Sequence, residues 1–246
     1  MNGLRQKIAG RSPLRGPFLG IPSPMTTEIV AQAQPDFVCI DTEHSPIGDA
    51  LLTEMIRAAQ LHSVPALVRV RSQQAQNIAA ALDAGACGIL VPHVSTAAIA
   101  ADVVRAARFP PQGNRGAGPA RAAGYLRDIG GYIERARRDT VVMVQIETVA
   151  AVDNLPEILA VEGIDLVLVG PGDLAVDIAA RPGAAPLEQM IDRILAAAAA
   201  ADVPAGIFAE DRDASRRWLE RLSFVIEGSD AFLLTKAIDA AMAPLG

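Results

Sequence analysis

Two short stretches of the chain concentrate oxygen ligands: Gln145-Ile146-Glu147 and Gly170-Pro171-Gly172-Asp173-Leu174. Each places a carboxylate just past an apolar run, residues 141–146 in the first case and 166–169 in the second. If those runs are adjacent strands of a parallel α/β barrel, both carboxylates open onto the face where such barrels build their active sites. Gln145 stands two residues before Glu147 and so points to the same side of its strand. Two carboxylates with few other protein ligands nearby suit a hard divalent cation that keeps positions open for substrate. Taken singly, Glu147 reads as a surface charge at a loop start and Asp173 as a helix N-cap. Taken together at neighbouring strand ends, they read as metal ligands for chemistry on a small oxygen-rich molecule.

Other reactive side chains fall at comparable places. Asp41-Thr42-Glu43-His44 ends a second apolar run, and a histidine there has the near-neutral pKa that proton transfer needs. His93, after a fourth run, competes for the role of base. His44 is preferred because Glu43 adjoins it, whereas His93 follows Pro92 in an apolar setting. His62 falls at a helix end and reads as structural. Arg69 lies near the end of a third run, where a guanidinium is costly unless it meets an anion: a substrate oxyanion, or a barrel carboxylate such as Glu43. Asp83, at the end of the following helix, reads by itself as a solvated carboxylate. The only lysines are Lys7 and Lys236, and neither falls at the C-terminal end of an expected strand. Schiff-base catalysis, which needs a desolvated lysine there, is close to excluded.

The elements that must position these groups recur with a rhythm. Strand-like runs at 18–21, 37–41, 66–70, 88–91, 141–146, 166–169, 205–208 and 224–226 alternate with helical patterns such as 51–61, 97–107, 152–159, 187–201 and 212–221. Near-continuous apolar strands alternating with amphipathic helices mean a parallel sheet covered by helices. Eight of them in 246 residues close most naturally into a single-domain (β/α)8 TIM barrel spanning 1–246. No Gly-x-Gly-x-x-Gly turn follows the first strand, so a dinucleotide site has no support. Residues 109–124, rich in Pro, Gly and Arg, break the rhythm and read as a loop covering the site, with Arg115 and Arg121 within reach of substrate. The last helix, residues 230–243, is apolar enough to require a partner surface.

Composition narrows the function further. A net charge of −6 and an aromatic content of 4% argue against a nucleic-acid surface or a base-stacking platform. No apolar run reaches membrane-spanning length and no signal-peptide core follows Arg5, Lys7 and Arg11, so a cytoplasmic location is expected. Cys39 and Cys87 sit in or beside apolar runs and read as buried free thiols.

Six segments in order resemble the HpcH/HpaI aldolases, the metal-dependent class II pyruvate aldolases. They are Asp36-Phe37-Val38-Cys39-Ile40-Asp41-Thr42-Glu43-His44, Val68-Arg69-Val70, Gly85-Ala86-Cys87-Gly88-Ile89-Leu90-Val91-Pro92, Phe109-Pro110-Pro111-Gln112-Gly113-Asn114-Arg115-Gly116, Gln145-Ile146-Glu147 and Val169-Gly170-Pro171-Gly172-Asp173-Leu174. The resemblance implies that Glu147 and Asp173 hold a divalent metal, Mg²⁺ first, with Mn²⁺, Co²⁺ or Zn²⁺ as alternatives. It implies that Gln145 and the backbone at Gly172 and Asp173 bind a 2-oxo acid such as pyruvate. It makes His44 the base, with Asp83 supporting its basicity, and Arg69 the stabiliser of the oxyanion. The expected reaction joins a pyruvate enolate to an aldehyde, or reverses that step, on 4-hydroxy-2-oxo acids. The resemblance also implies a homo-oligomer, a hexamer or trimer, with the last helix exchanged between protomers.

The chain departs from the pattern at Ala175, where a serine is common, at 181–186, and at Glu227, where a small or apolar residue is usual. Glu227 in Ile226-Glu227-Gly228-Ser229 also disfavours a phosphate-binding isomerase barrel. Alternative readings are oxaloacetate decarboxylation, a dedicated biosynthetic condensation, or a non-catalytic metabolite-binding barrel. The last is disfavoured because His44, Arg69, Glu147 and Asp173 are all present.

Overall fold

Eight parallel strands close on themselves in chain order, each hydrogen-bonded to the next and the last to the first. In the computed structural model, which describes residues 3–243, they are β1 (Leu14–Leu19), β2 (Val38–Asp41), β3 (Ala66–Arg69), β4 (Gly88–Val91), β5 (Val141–Ile146), β6 (Leu166–Val169), β7 (Ala205–Ala209) and β8 (Phe224–Ser229). Outside them lie α2 (Pro24–Gln32), α3 (Asp49–Leu61), α4 (Ala75–Ala84), α5 (Ala97–Ala107), α6 (Ile129–Asp139), α7 (Val149–Asp153), α8 (Leu155–Leu159), α9 (Pro171–Ala179), α10 (Leu187–Ala200) and α11 (Arg212–Leu219). A short α1 (Leu4–Ala9) precedes the barrel and α12 (Asp230–Ala241) follows it. The architecture is the (β/α)8 barrel expected from the alternation of runs. No helix among the described residues is long and apolar enough to cross a membrane.

Side chains alternate across each strand and divide the core in two. Val38, Ile40, Val68, Ile89, Val142, Val144, Val167 and Val169 face outward and pack under the helices. Leu14, Phe18, Cys39, Leu67, Leu90, Met143, Leu166, Leu168, Phe224 and Ile226 fill the barrel interior, with Leu4 and Ile8 of α1 joining them. Phe37 and Phe224 stack at 4.4 Å between ring centroids. The same parity positions the chemistry. Continuing the inward positions by two residues gives Asp41 after Cys39, Arg69 after Leu67, Gln145 after Met143, and Gly170 after Leu168. The residues that fill the interior lower down become the residues that line its C-terminal mouth.

Two elements differ from the sequence reading for identifiable reasons. β1 begins at Leu14, four residues before the expected run at 18–21, and takes in Arg15-Gly16-Pro17. A side chain at Gly16 would collide with the Phe37 carbonyl, and the pairing with β8 shifts register between Gly16 and Phe18, where Pro17 can be tolerated. The loop at 109–124 does not cover the site of its own barrel. It leaves the C-terminal end of α5 and leads to α6 and the start of β5, so it crosses the N-terminal end. There Arg115 donates to Asp83 at 2.7 Å and to the Tyr132 hydroxyl at 2.6 Å, and Arg121 donates to the Ala84 carbonyl and to Gln60.

Candidate active site

The C-terminal mouth of the barrel holds a cleft of about 510 Å³, with Asp41, His44, Arg69, Gln145, Gly172 and Asp173 in its lining. Phe18, Leu168 and Phe208 supply an apolar floor.

On one side β2 and β3 run in register, with Asp41 opposite Arg69. Arg69 donates from Nε to Asp41 Oδ1 at 2.9 Å and from Nη2 to Oδ2 at 2.8 Å, a bidentate pair that fixes the guanidinium plane. Its third nitrogen, Nη1, lies 3.3 Å from Glu43 Oε2. The guanidinium also stands 4.5 Å from the centre of the Phe18 ring. Asp41 does more than hold Arg69, since its Oδ1 also accepts from the backbone N–H of Glu43 at 3.0 Å and of His44 at 3.4 Å. That local side-chain turn sets the path of the loop that presents His44 to the cleft. His44 Nε2 lies 3.7 Å from Glu43 Oε2.

On the other side Glu147, the first residue past β5, is only 1% exposed. Its Oε1 accepts from the backbone N–H of His93 at 2.6 Å, and its Oε2 accepts from Gln145 Nε2. Burial pushes the Glu147 carboxyl above the usual carboxylate range, the His93 N–H opposes that, and the charges of Glu43 and Asp173 add to it. Glu43 is raised too, chiefly by burial and against the pull of Arg69.

Asp173 lies in the first turn of α9, not at its N-cap; the cap position is Gly170, which has no side chain to satisfy the turn. Pro171 carries no N–H, so the backbone N–H groups of Gly172 and Asp173 are left for a ligand at a helix end that favours negative charge. Gly170 is there for space. A Cβ at that position would come within 2.9 Å of Gln145 Nε2 and 3.1 Å of Glu147 Oε2.

The structure therefore brings together His44, Arg69, Gln145, Glu147, Gly172 and Asp173. It does not bring Asp83 to them. Asp83 lies in the last turn of α4, at the other end of the barrel, where it holds Arg115. Asp41 and Glu43 are the partners that sequence reasoning undervalued. The signal for Asp41 was its inward position two residues after Cys39, beside a strand that ends in arginine.

The donor set fits a divalent cation. Asp41 and Asp173 line the mouth, with Glu43 behind Arg69 and Glu147 behind Gln145, and Arg69 is the only permanent positive charge there among the described residues. Gln145 Oε1 and Glu43 Oε2 are buried without a hydrogen-bond partner. Among the described residues no three or more His, Cys, Asp or Glu side chains are grouped so as to hold a metal ion. Glu147 and Asp173 would therefore supply two oxygen ligands, and the remaining positions would go to water and substrate, as a hard cation such as Mg²⁺ accepts.

The family model for HpcH/HpaI aldolase/citrate lyase matches residues 15–237. The chain belongs to that family. It is 36% identical to a hydroxypyruvate/pyruvate aldolase of Roseovarius nubinhibens, over 98% of this chain and 96% of that one. It is also 36% identical to a 4-hydroxy-2-oxo-heptane-1,7-dioate aldolase of Shigella sonnei, over 100% and 95%. The crystal structure of an HpcH/HpaI aldolase/citrate lyase family protein from Burkholderia cenocepacia J2315 superposes with a TM-score of 0.90 at 34% identity, covering 98% of both chains.

Proposed function

We propose that the protein is a divalent-metal-dependent pyruvate aldolase, a carbon–carbon lyase that makes or cleaves 4-hydroxy-2-oxo acids. The observation that carries this reading is one cleft lined by the exposed Asp173 carboxylate, uncapped helix amides, a fixed arginine and a histidine, with the buried Glu147 carboxylate held behind Gln145. Full-length relatives that bear aldolase names support it.

The side chains divide the chemistry among them. Glu147 and Asp173 would hold the cation, Mg²⁺ first, which would supply Lewis-acid polarisation of the keto group and so make the methyl protons of pyruvate more acidic. The N–H groups of Gly172 and Asp173 and the side chain of Gln145 orient the 2-oxo acid. With Nε and Nη2 committed to Asp41, the guanidinium is fixed, and Nη1, 3.3 Å from Glu43 Oε2, is the nitrogen that turns to the developing oxyanion. His44 accepts the proton, directly or through water, and returns it when the reaction runs the other way. Phe18, Leu168 and Phe208 exclude water from the carbon centre.

The unit that acts is residues 1–246 as a single barrel domain in the cytoplasm, where two unpaired cysteines, buried Cys39 and half-buried Cys87, are at home. It works as a homo-oligomer, a hexamer or trimer with α12 exchanged between copies. Phe232, Leu233, Leu234 and Ile238 are exposed on that helix and need such a cover. Asp83, distant from His44 within the chain, can act on it only across such an assembly. Purified protein with Mg²⁺ should release pyruvate and an aldehyde from a 4-hydroxy-2-oxo acid, and EDTA should abolish the release. Oxaloacetate turned over in preference to every aldol substrate would replace this reading with a decarboxylase.

A further inference from the structure

His93 is the one histidine at the barrel mouth to which the mechanism assigns no role, and its geometry is specific. It is a non-glycine residue at φ +56°, a left-handed conformation that most side chains avoid and histidine tolerates better than most. That backbone turns its N–H onto Glu147 Oε1 at 2.6 Å. The ring folds over the same group: Nδ1 lies 2.9 Å from Glu147 Oε1, while Nε2 lies 3.1 Å from Glu43 Oε1. Gln73, in the loop between β3 and α4, donates to the carbonyl of His93 at 2.5 Å and to that of Pro92 at 3.3 Å, so the strained residue is held from both sides of its peptide.

The two ring nitrogens face different carboxylates, so the ring bridges Glu43 to Glu147 and does not join them in binding one ion. It also divides the work at Glu147. Oε1 is taken by His93, and Oε2 is turned toward Gln145 and the space that Gly170 leaves open.

We propose that His93 is a positioning residue: through its backbone N–H and its ring it fixes the Glu147 carboxylate and ties it to Glu43 before cation and substrate arrive. This rests on the reading of Glu147 as a metal ligand. Groups that orient a ligating carboxylate change metal affinity by about 10–100-fold when removed.

The test uses His93→Gly, which keeps the left-handed backbone and its N–H but deletes the ring, with His93→Gln to restore a side-chain donor. Mn²⁺ binding to the intact protein is measured by calorimetry and by the EPR signal of free ion, alongside thermal melting, kcat and KM for pyruvate exchange. His93→Gly should melt as the wild type does, bind Mn²⁺ about ten-fold or more weakly, and raise KM for pyruvate more than it lowers kcat at saturating metal. His93→Gln should recover part of the affinity. Glu147→Ala is measured in parallel. If it weakens Mn²⁺ binding while His93→Gly binds as tightly as wild type or tighter, the positioning role is overturned and the metal site stands. If Glu147→Ala leaves Mn²⁺ affinity unchanged, the metal-site reading falls and the role of His93 with it.

Discussion

Replacing Arg69 by alanine separates what this residue does for the fold from what it does for the reaction. In the folded protein the substitution strands Asp41, which is 6% exposed, and leaves Glu43 with no arginine beside it. Removing one partner of a buried ion pair costs about 3–5 kcal/mol, because the other charge stays desolvated. For the reaction, losing one fixed donor at a developing oxyanion lowers turnover by about 10²–10³-fold. Both quantities can be measured on the same preparations, by urea unfolding without metal and by pyruvate release at saturating substrate and Mg²⁺. The double variant Arg69→Ala/Asp41→Ala decides between the two effects. With neither charge buried alone, it should regain much of the lost stability. It should not regain turnover, since Nη1 is still missing and the turn that carries His44 has lost its acceptor. A single variant as stable as wild type, or a double variant with restored turnover, would overturn this division of roles.

His44→Ala should keep Mn²⁺ and pyruvate binding while losing most aldol turnover; if His93→Ala shows that pattern and His44→Ala stays active, the base is misassigned. Gly170→Ala should fold but lose activity, because its Cβ would displace Gln145 and Glu147 from contacts at 2.9–3.1 Å, and a fully active variant would contradict that crowding. The raised carboxyl of Glu147 also sets a pH dependence: its folded-state pKa exceeds the ordinary 4.5, so between that value and the raised one the folded state binds more protons than the unfolded. Its contribution to the stability of the metal-free protein therefore falls as pH rises through that window and stays low above it. Glu147→Gln should melt higher than wild type at pH 7 without metal, with the gap closing near pH 4.5; a Gln variant that melts lower at pH 7 would oppose this.

Much of the barrel was legible because its strands are short, near-continuous apolar runs at regular spacing, which can be found without tertiary information. The strand ends that carry Arg69, Gln145 and Glu147 follow from that pattern alone. What escaped was set by contacts between distant segments. β1 starts at Leu14 because Phe37 leaves no room for a side chain at Gly16, and nothing local to Arg15-Gly16-Pro17 reports Phe37. Helix α2, with Ser23 as N-cap and Pro24 at its first turn, did carry a local start signal. The loop at 109–124 was expected over the site because its length and composition say that it is special, but only the direction of α5 says at which end of the barrel it lies. Glu227, an oddity in the sequence, becomes ordinary in the fold: it faces outward on β8 and pairs with Arg15 of β1 at 3.2 Å. His93 looked like a weaker base because its carboxylate neighbours come from β2 and β5, far from it in the chain.

The claim on which the rest depends is that this mouth draws a methyl proton from pyruvate with a cation held by Glu147 and Asp173. Exchange of pyruvate methyl protons into deuterated water, followed by proton NMR with no aldehyde present, tests that step by itself. Exchange is expected with Mg²⁺ or Mn²⁺, none after EDTA, and none in Glu147→Ala or Asp173→Ala at metal concentrations that saturate the wild type. Exchange that continues unchanged in the metal-free protein, or in both carboxylate variants, would rule that claim out.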